Sequence, residues 1–196
     1  MKARLWFRSL LIGGGVLLLM ACSSVNVSPD NSVQMAGGTS IPFPEPKALE
    51  SVVSVSQMIT ATWNGDTQQL PVKLEVDADR VVLAGFSSWG TRLLSLEYSS
   101  AGIATYVLPG LEAQLPDPKQ VLFYIMVSLW PQDVWREKLS LSGWDLVDKA
   151  HTRTLVDASG KVVVFIHYTD INNKLAGDIK LENPEAGYSV VISTLN

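Results

Sequence analysis

The chain has 196 residues, 47% of them hydrophobic, with 15 basic side chains, 19 acidic ones and a single cysteine. That length suits one domain of ordinary size with a real core. The acidic balance excludes nucleic acid and polybasic docking on anionic lipid, and one cysteine excludes an internal disulfide.

The chain opens with a leader. "MKARLWFRSLLIGGGVLLLMAC" carries Lys2, Arg4 and Arg8, then an apolar run from Leu10 to Met20, then Ala21 and Cys22. The run falls short of the roughly 20 apolar residues that span a bilayer. Its length and flanks are those of a secretory signal peptide. Leu19-Met20-Ala21-Cys22 resembles the bacterial lipobox, although Met20 stands where a small residue is usual. The resemblance implies cleavage after residue 21 and acylation of Cys22; an ordinary cleaved signal, or an uncleaved anchor with Cys22 incidental, is the alternative. A triacylated cysteine exceeds the two-chain threshold for stable anchoring. Ser23 and Ser24 follow, and by resemblance to sorted lipoproteins the absence of Asp at the second position implies the outer membrane, periplasmic face. Loss of residues 1–21 removes three basic residues and no acidic one, leaving a formal charge of −7.

Residues 22–47 are rich in Ser, Asn, Pro and Gly and end in "IPFPEPK", which reads as a lipidated N-terminus and flexible tether. The folded domain is expected over residues 48–196. Period-two alternation then dominates. "VVSVSQMITATW" places Val53, Val55, Ile59, Ala61 and Trp63 on one face, and Asn64-Gly65 predicts a type I′ hairpin turn. "QLPVKLEV", "RVVLAGFS", "TRLLSLEYS" and "IATYVL" complete five consecutive antiparallel strands. At "LPDPKQ" the pattern breaks: Asp117 caps and Pro118 opens a helix that runs to Trp130, where Pro131 ends it. A second helix covers roughly residues 132–141. Strands resume in "WDLVDKA", "HTRTLV", "KVVVFIHYT", "KLAGDIKLE" and "YSVVISTL". The expected fold is mainly β: about ten antiparallel strands, with two helices inserted after the fifth.

Catalytic chemistry is thin. His151 and His167 lie in predicted strands without metal-spaced partners, and Asp77 and Asp79 sit in a turn that favours Asp for local hydrogen bonding. No nucleophile elbow, phosphate loop or dinucleotide fingerprint is present. The expectation is a non-enzymatic protein with no cofactor and no metal. Trp89 in "FSSWGTR" stands at a hairpin tip, either packed back on the strand ends or touching a membrane or ligand. The helix "QVLFYIMVSLW" is apolar around most of its circumference, so it is either packed on all sides or borders an open slot.

"LAGFSSWGTRLLSLEYS", "LPDPKQVLFYIMVSLWP", "SGWDLVD" and "GDIKLENPEAGYSVVIST" resemble an uncharacterised outer-membrane lipoprotein family found beside aryl polyene biosynthesis genes. That family is similar in fold to the lipoprotein-localisation factors LolA and LolB. The resemblance implies a half-open antiparallel barrel whose concave face is covered by helices, enclosing an apolar cavity for acyl chains. LolB presents an apolar residue on a protruding loop, and Trp89 is the candidate counterpart here. Expected pocket residues are Phe86, Leu94 and Leu96 from the wall and Phe123, Tyr124, Val127 and Trp130 from the helix. Expected partners are outer-membrane lipid through acylated Cys22 and a lipid or lipoprotein cargo; the oligomeric state is open. A structural or assembly lipoprotein with a solid core and a protein partner is the alternative.

Overall fold

A computed structural model describes residues 26–195. The leader and Cys22 lie outside the described residues. In chain order, three short strands come first, β1 (Asn26–Ser28), β2 (Ser32–Gln34) and β3 (Ser40–Pro42). The five-strand meander follows: β4 (Val53–Trp63), β5 (Asp66–Val76), β6 (Arg80–Phe86), β7 (Arg92–Ser99) and β8 (Gly102–Val107). Helices α1 (Pro118–Leu129) and α2 (Gln132–Ser140) separate it from β9 (Asp145–Lys149), β10 (Thr152–Val156), β11 (Val162–Tyr168), β12 (Ile179–Asn183) and β13 (Tyr188–Leu195).

Eleven of these strands form one antiparallel sheet in the order β1-β8-β7-β6-β5-β4-β13-β12-β11-β10-β9. Each meander follows chain order, and β13 joins them by pairing along β4, with Tyr188 opposite Trp63. The ends, β1 and β9, do not pair with each other, so the sheet is open. The expected architecture is the observed one: mainly β, an open antiparallel sheet, helices after the meander's fifth strand. The Asn64-Gly65 turn has φ of 52° and 85°, as a type I′ turn requires, and sets Trp63 opposite Asp66.

Alternation decides which face is apolar. Val72, Leu74 and Val76 of β5, Leu94, Leu96 and Tyr98 of β7, and Ile179 and Leu181 of β12 are buried, while their sequence neighbours are more exposed. Each such side chain removed from water stabilises the fold by about 1.5–3 kcal/mol. Gln57 shares the apolar face of β4 and is buried, its amide donating to Thr194 Oγ1 at 3.3 Å. In the second meander, "KLAG" is a turn rather than strand. Asp170 Oδ1 accepts from the Asn172 and Asn173 amides, and β12 starts only at Ile179.

The segment expected to be a flexible tether is folded from Asn26 onward. β1 extends the sheet beside β8, and β2 and β3 form a hairpin with Val33 opposite Ile41. Val33, Met35, Ile41 and Phe43 are buried in the main core. The Tyr98 hydroxyl donates to the Pro44 carbonyl at 3.0 Å, and the Trp130 indole N–H to the Glu45 carbonyl at 3.2 Å. Composition hid this. The apolar residues are few, but they stand two apart on facing strands, and the Ser/Pro/Gly between them form the turns. Gly102 admits β1: its φ is 123°, and a Cβ there would lie 2.6 Å from the Ser28 carbonyl oxygen.

Candidate functional site

Helix α1 lies in the trough of the sheet. Asp117 Oδ1 accepts from the Lys119 amide at 2.8 Å, with Pro118 in the first turn, which fixes where the helix begins. Leu122, Phe123, Met126, Val127 and Trp130 are 0% exposed, so no water-sized void touches them from outside or within. The Phe123 ring meets the Trp135 ring of α2 edge-on at 5.6 Å. Leu94 and Leu96 belong to the same apolar cluster, so five of the seven expected pocket residues converge beneath or on α1. Tyr124 is half-buried at the rim, edge-on to Tyr188 at 6.0 Å. Phe86 departs from the expected wall. It is half-buried with the parity of Val82 and Ala84, after a register shift at Gly85/Phe86, while Val81 and Leu83 face the core.

The expected slot beside α1 is therefore occupied by the protein's own side chains, including the four supplied by the folded N-terminal segment. Two clefts lie elsewhere. One of about 390 Å³ runs between β1, β2 and the start of α1, lined among others by Val27, Asp30, Thr105, Asp117 and Lys119. The other, about 270 Å³, is bordered by Leu49, Val53, Leu129, Ile171, Lys174 and Leu175. Neither is lined by any of the seven expected pocket residues.

The C-terminus of α1 is held by residues that composition did not nominate. Arg153, buried on β10, donates from Nη1 to the Val127 and Trp130 carbonyls at 2.8 and 2.7 Å. Its Nε and Nη2 bind the two Asp148 oxygens at 2.6 and 2.7 Å. The Tyr168 hydroxyl donates to the Ser128 carbonyl at 2.7 Å, and the Lys174 ammonium reaches the same oxygen at 3.3 Å. Carbonyls left without partners at a helix end are thus satisfied, with cations at the negative pole of its dipole. A signal was present: Arg153 shares the parity of Leu155, so alternation alone puts its guanidinium on the core side. His151 and His167, by contrast, are both exposed.

Burial, with Arg153 nearby, lowers the Lys174 ammonium from 10.5 to about 8. Between those values the unfolded chain binds the proton better than the fold does, so stability rises as pH increases through that window. Buried tyrosines oppose this at higher pH: burial pushes the Tyr98 hydroxyl up to about 12, so its contribution is lost once the unfolded phenol ionises near ~10. Denaturant midpoints are expected to rise between about pH 7.5 and about pH 9.5, and to stay level in Lys174→Met.

Trp89 is 94% exposed, so it does not pack back on the strand ends. The turn beneath it is well tied. Ser87 Oγ accepts from the Trp89 and Thr91 amides at 3.3 and 3.1 Å, and Ser87 N donates to the Thr91 carbonyl at 2.8 Å. A bare indole is thus presented at the end of the β6–β7 hairpin by an ordered backbone.

Residues 54–196 match the family described as Protein of unknown function (DUF3261). The chain belongs to that family. No curated protein matches this DUF3261 member. Among solved structures, it is similar to a domain from Vibrio parahaemolyticus assigned to outer membrane lipoprotein sorting, at 10% identity and a TM-score of 0.46 over 73% of this chain and 83% of that one. A DUF1329 family protein from Desulfovibrio piger ATCC 29098 is similar at 9% identity and a TM-score of 0.36, over 77% and 87% of the two chains. The family match starts inside β4, so β1–β3, which help fill the trough, precede the matched span.

Proposed function

We propose that this DUF3261 member is a non-catalytic module anchored by acylated Cys22 to the periplasmic face of the outer membrane, and that it meets a hydrophobic partner at the Trp89 turn with its core closed. One observation carries the reading: a tryptophan almost wholly in water on a backbone ordered by Ser87. Aromatic side chains of this size bury about 150–250 Å² each, which at ~25 cal/mol per Å² is several kcal/mol before ordering costs. Lipoprotein acyl chains or an aryl polyene lipid are the cargo classes in view, met at the surface rather than swallowed. The packed trough favours a second reading, an assembly lipoprotein with a protein partner.

Trp89→Ser is expected to abolish uptake of a fluorescent fatty acyl probe while changing stability by no more than about 0.5 kcal/mol, because the side chain packs on nothing. Lipid co-purifying with the native protein, read by mass spectrometry, should fall in parallel. Native protein that takes up no probe, carries no lipid and pulls down one protein stoichiometrically would transfer support to the second reading.

A further inference from the structure

The loop between β11 and β12, residues 169–178, is held in one shape by its own short polar side chains. Asp170 Oδ1 accepts from the Asn172 and Asn173 amides at 2.9 and 3.0 Å, and Asn173 Oδ1 from the Leu175 amide at 3.2 Å. Thr169 and Asp178 close the neck. The Asp178 amide donates to Thr169 Oγ1 at 2.7 Å, and the Thr169 amide to the Asp178 carbonyl at 3.0 Å. Gly177 permits this closure, since a Cβ there would lie 2.3 Å from Thr169 Oγ1. Such order fixes what the loop carries: Ile171, 37% exposed, with Lys174 and Leu175 half-buried.

These three residues border the cleft of about 270 Å³, together with Leu49, Val53 and Leu129. Asn172 and Asn173 border it too, with carboxamide donors of their own. Lys174 is a cation without a counterion there. Its Nζ lies 4.7 Å from the centre of the Tyr168 ring and 3.3 Å from the Ser128 carbonyl, an oxygen that already accepts from Tyr168 at 2.7 Å. No carboxylate of a described residue forms an ion pair with it. Asp148, whose charge reaches it, is engaged on both oxygens by Arg153. Burial and the Arg153 guanidinium both work against the ammonium, so an anion arriving in the cleft would relieve it.

We propose that this cleft binds a carboxylate-headed amphiphile, its head on the Lys174 ammonium and its short tail against Leu49, Leu129, Ile171 and Leu175. Apolar walls with a few polar groups to fix orientation are the ordinary make-up of a small-molecule site. One ammonium matches a single negative charge. At the ~30 Å³ that a water occupies in the liquid, the space holds about nine heavy atoms, the size of a medium-chain carboxylate. The loop is ordered in advance by its own hydrogen bonds, so binding need not spend free energy on shaping it.

The site is independent of Trp89 and requires no acylation. Val53 pairs with Val76, and Val76 with Val81 near the start of β6, whereas the Trp89 turn follows the far end of β6. Cleft and indole thus lie at opposite ends of the sheet. A bulky fluorescent acyl probe exceeds the cleft, so uptake at Trp89 is read separately.

The test titrates the full chain, in nanodiscs of zwitterionic lipid with empty nanodiscs as the blank, with octanoate carrying ¹³C at its carboxyl. Native protein should shift and broaden the carboxyl signal saturably. Lys174→Met should weaken binding about tenfold or more, whereas Lys174→Arg, which keeps the charge, should stay within about threefold. Octanol, with the same tail and no charge, should compete at least about tenfold less well. Urea midpoints establish that each variant is folded. No saturable binding to native protein, or equal binding to native protein and folded Lys174→Met, overturns the proposal. Trp89→Ser should leave the titration unchanged; loss of octanoate binding in that variant would place the carboxylate at the hairpin tip and overturn the cleft as its site.

Discussion

Arg153→Met should lower stability by about 3 kcal/mol, because it strips the partners from two carbonyls at a buried helix end, each costing about 1–3 kcal/mol when left unsatisfied. The aliphatic part of the replacement fills much of the same space, so the loss isolates the polar contacts. Asp148 adds little to the penalty: its side chain is 41% exposed and can turn to water once the guanidinium is gone. At 2–4 °C per kcal/mol for a domain of this size, the melting temperature should fall by roughly 6–12 °C. Arg153→Lys should recover little of it, since an ammonium on a flexible stem cannot serve two carbonyls and a carboxylate in one planar fork. Thermal unfolding followed by circular dichroism measures all three. An unchanged midpoint in Arg153→Met would mean that the end of α1 is held by packing alone.

Phe123→Ala should cost about 3–5 kcal/mol, the range for deleting a buried aromatic ring. Its neighbours are large and interlocked, with Trp135 edge-on at 5.6 Å and the sheet beneath, so the site is expected to collapse only partly. The residual void would be apolar and dry, and should bind benzene, as engineered apolar cavities of ~150 Å³ do. Native protein should bind none. Urea titration gives the stability term, and the benzene-dependent shift of the midpoint gives the occupancy. Equal shifts in native and variant protein would show that space already exists beside α1, and would return the internal carrier to consideration.

These two experiments probe what the sequence left open. Elements and their order were legible because each is encoded within a few residues. The period of two in "QLPVKLEV" assigns a buried face, Asn64-Gly65 fixes a turn by its φ angles, and Asp117-Pro118 starts a helix at a definite place. The exposed Trp89 was half-legible: its place at a tip follows from the flanking strands, but its direction depends on what lies nearby. Arg153 could have been found by parity, yet its role could not, because the carbonyls it holds belong to a helix 23 and 26 residues away.

By itself, then, the sequence determined a mainly antiparallel sheet and two helices interrupting it, both consequences of local periodicity and of residues that cap or break it. Only the tertiary structure decided that the segment from Asn26 onward folds into the core and that the helix is sealed rather than slotted. Closure of a trough depends on whether side chains distant in the chain fill one volume together. No local pattern carries that sum, because an apolar helix reads the same whether its neighbour is a protein side chain or a hydrocarbon guest.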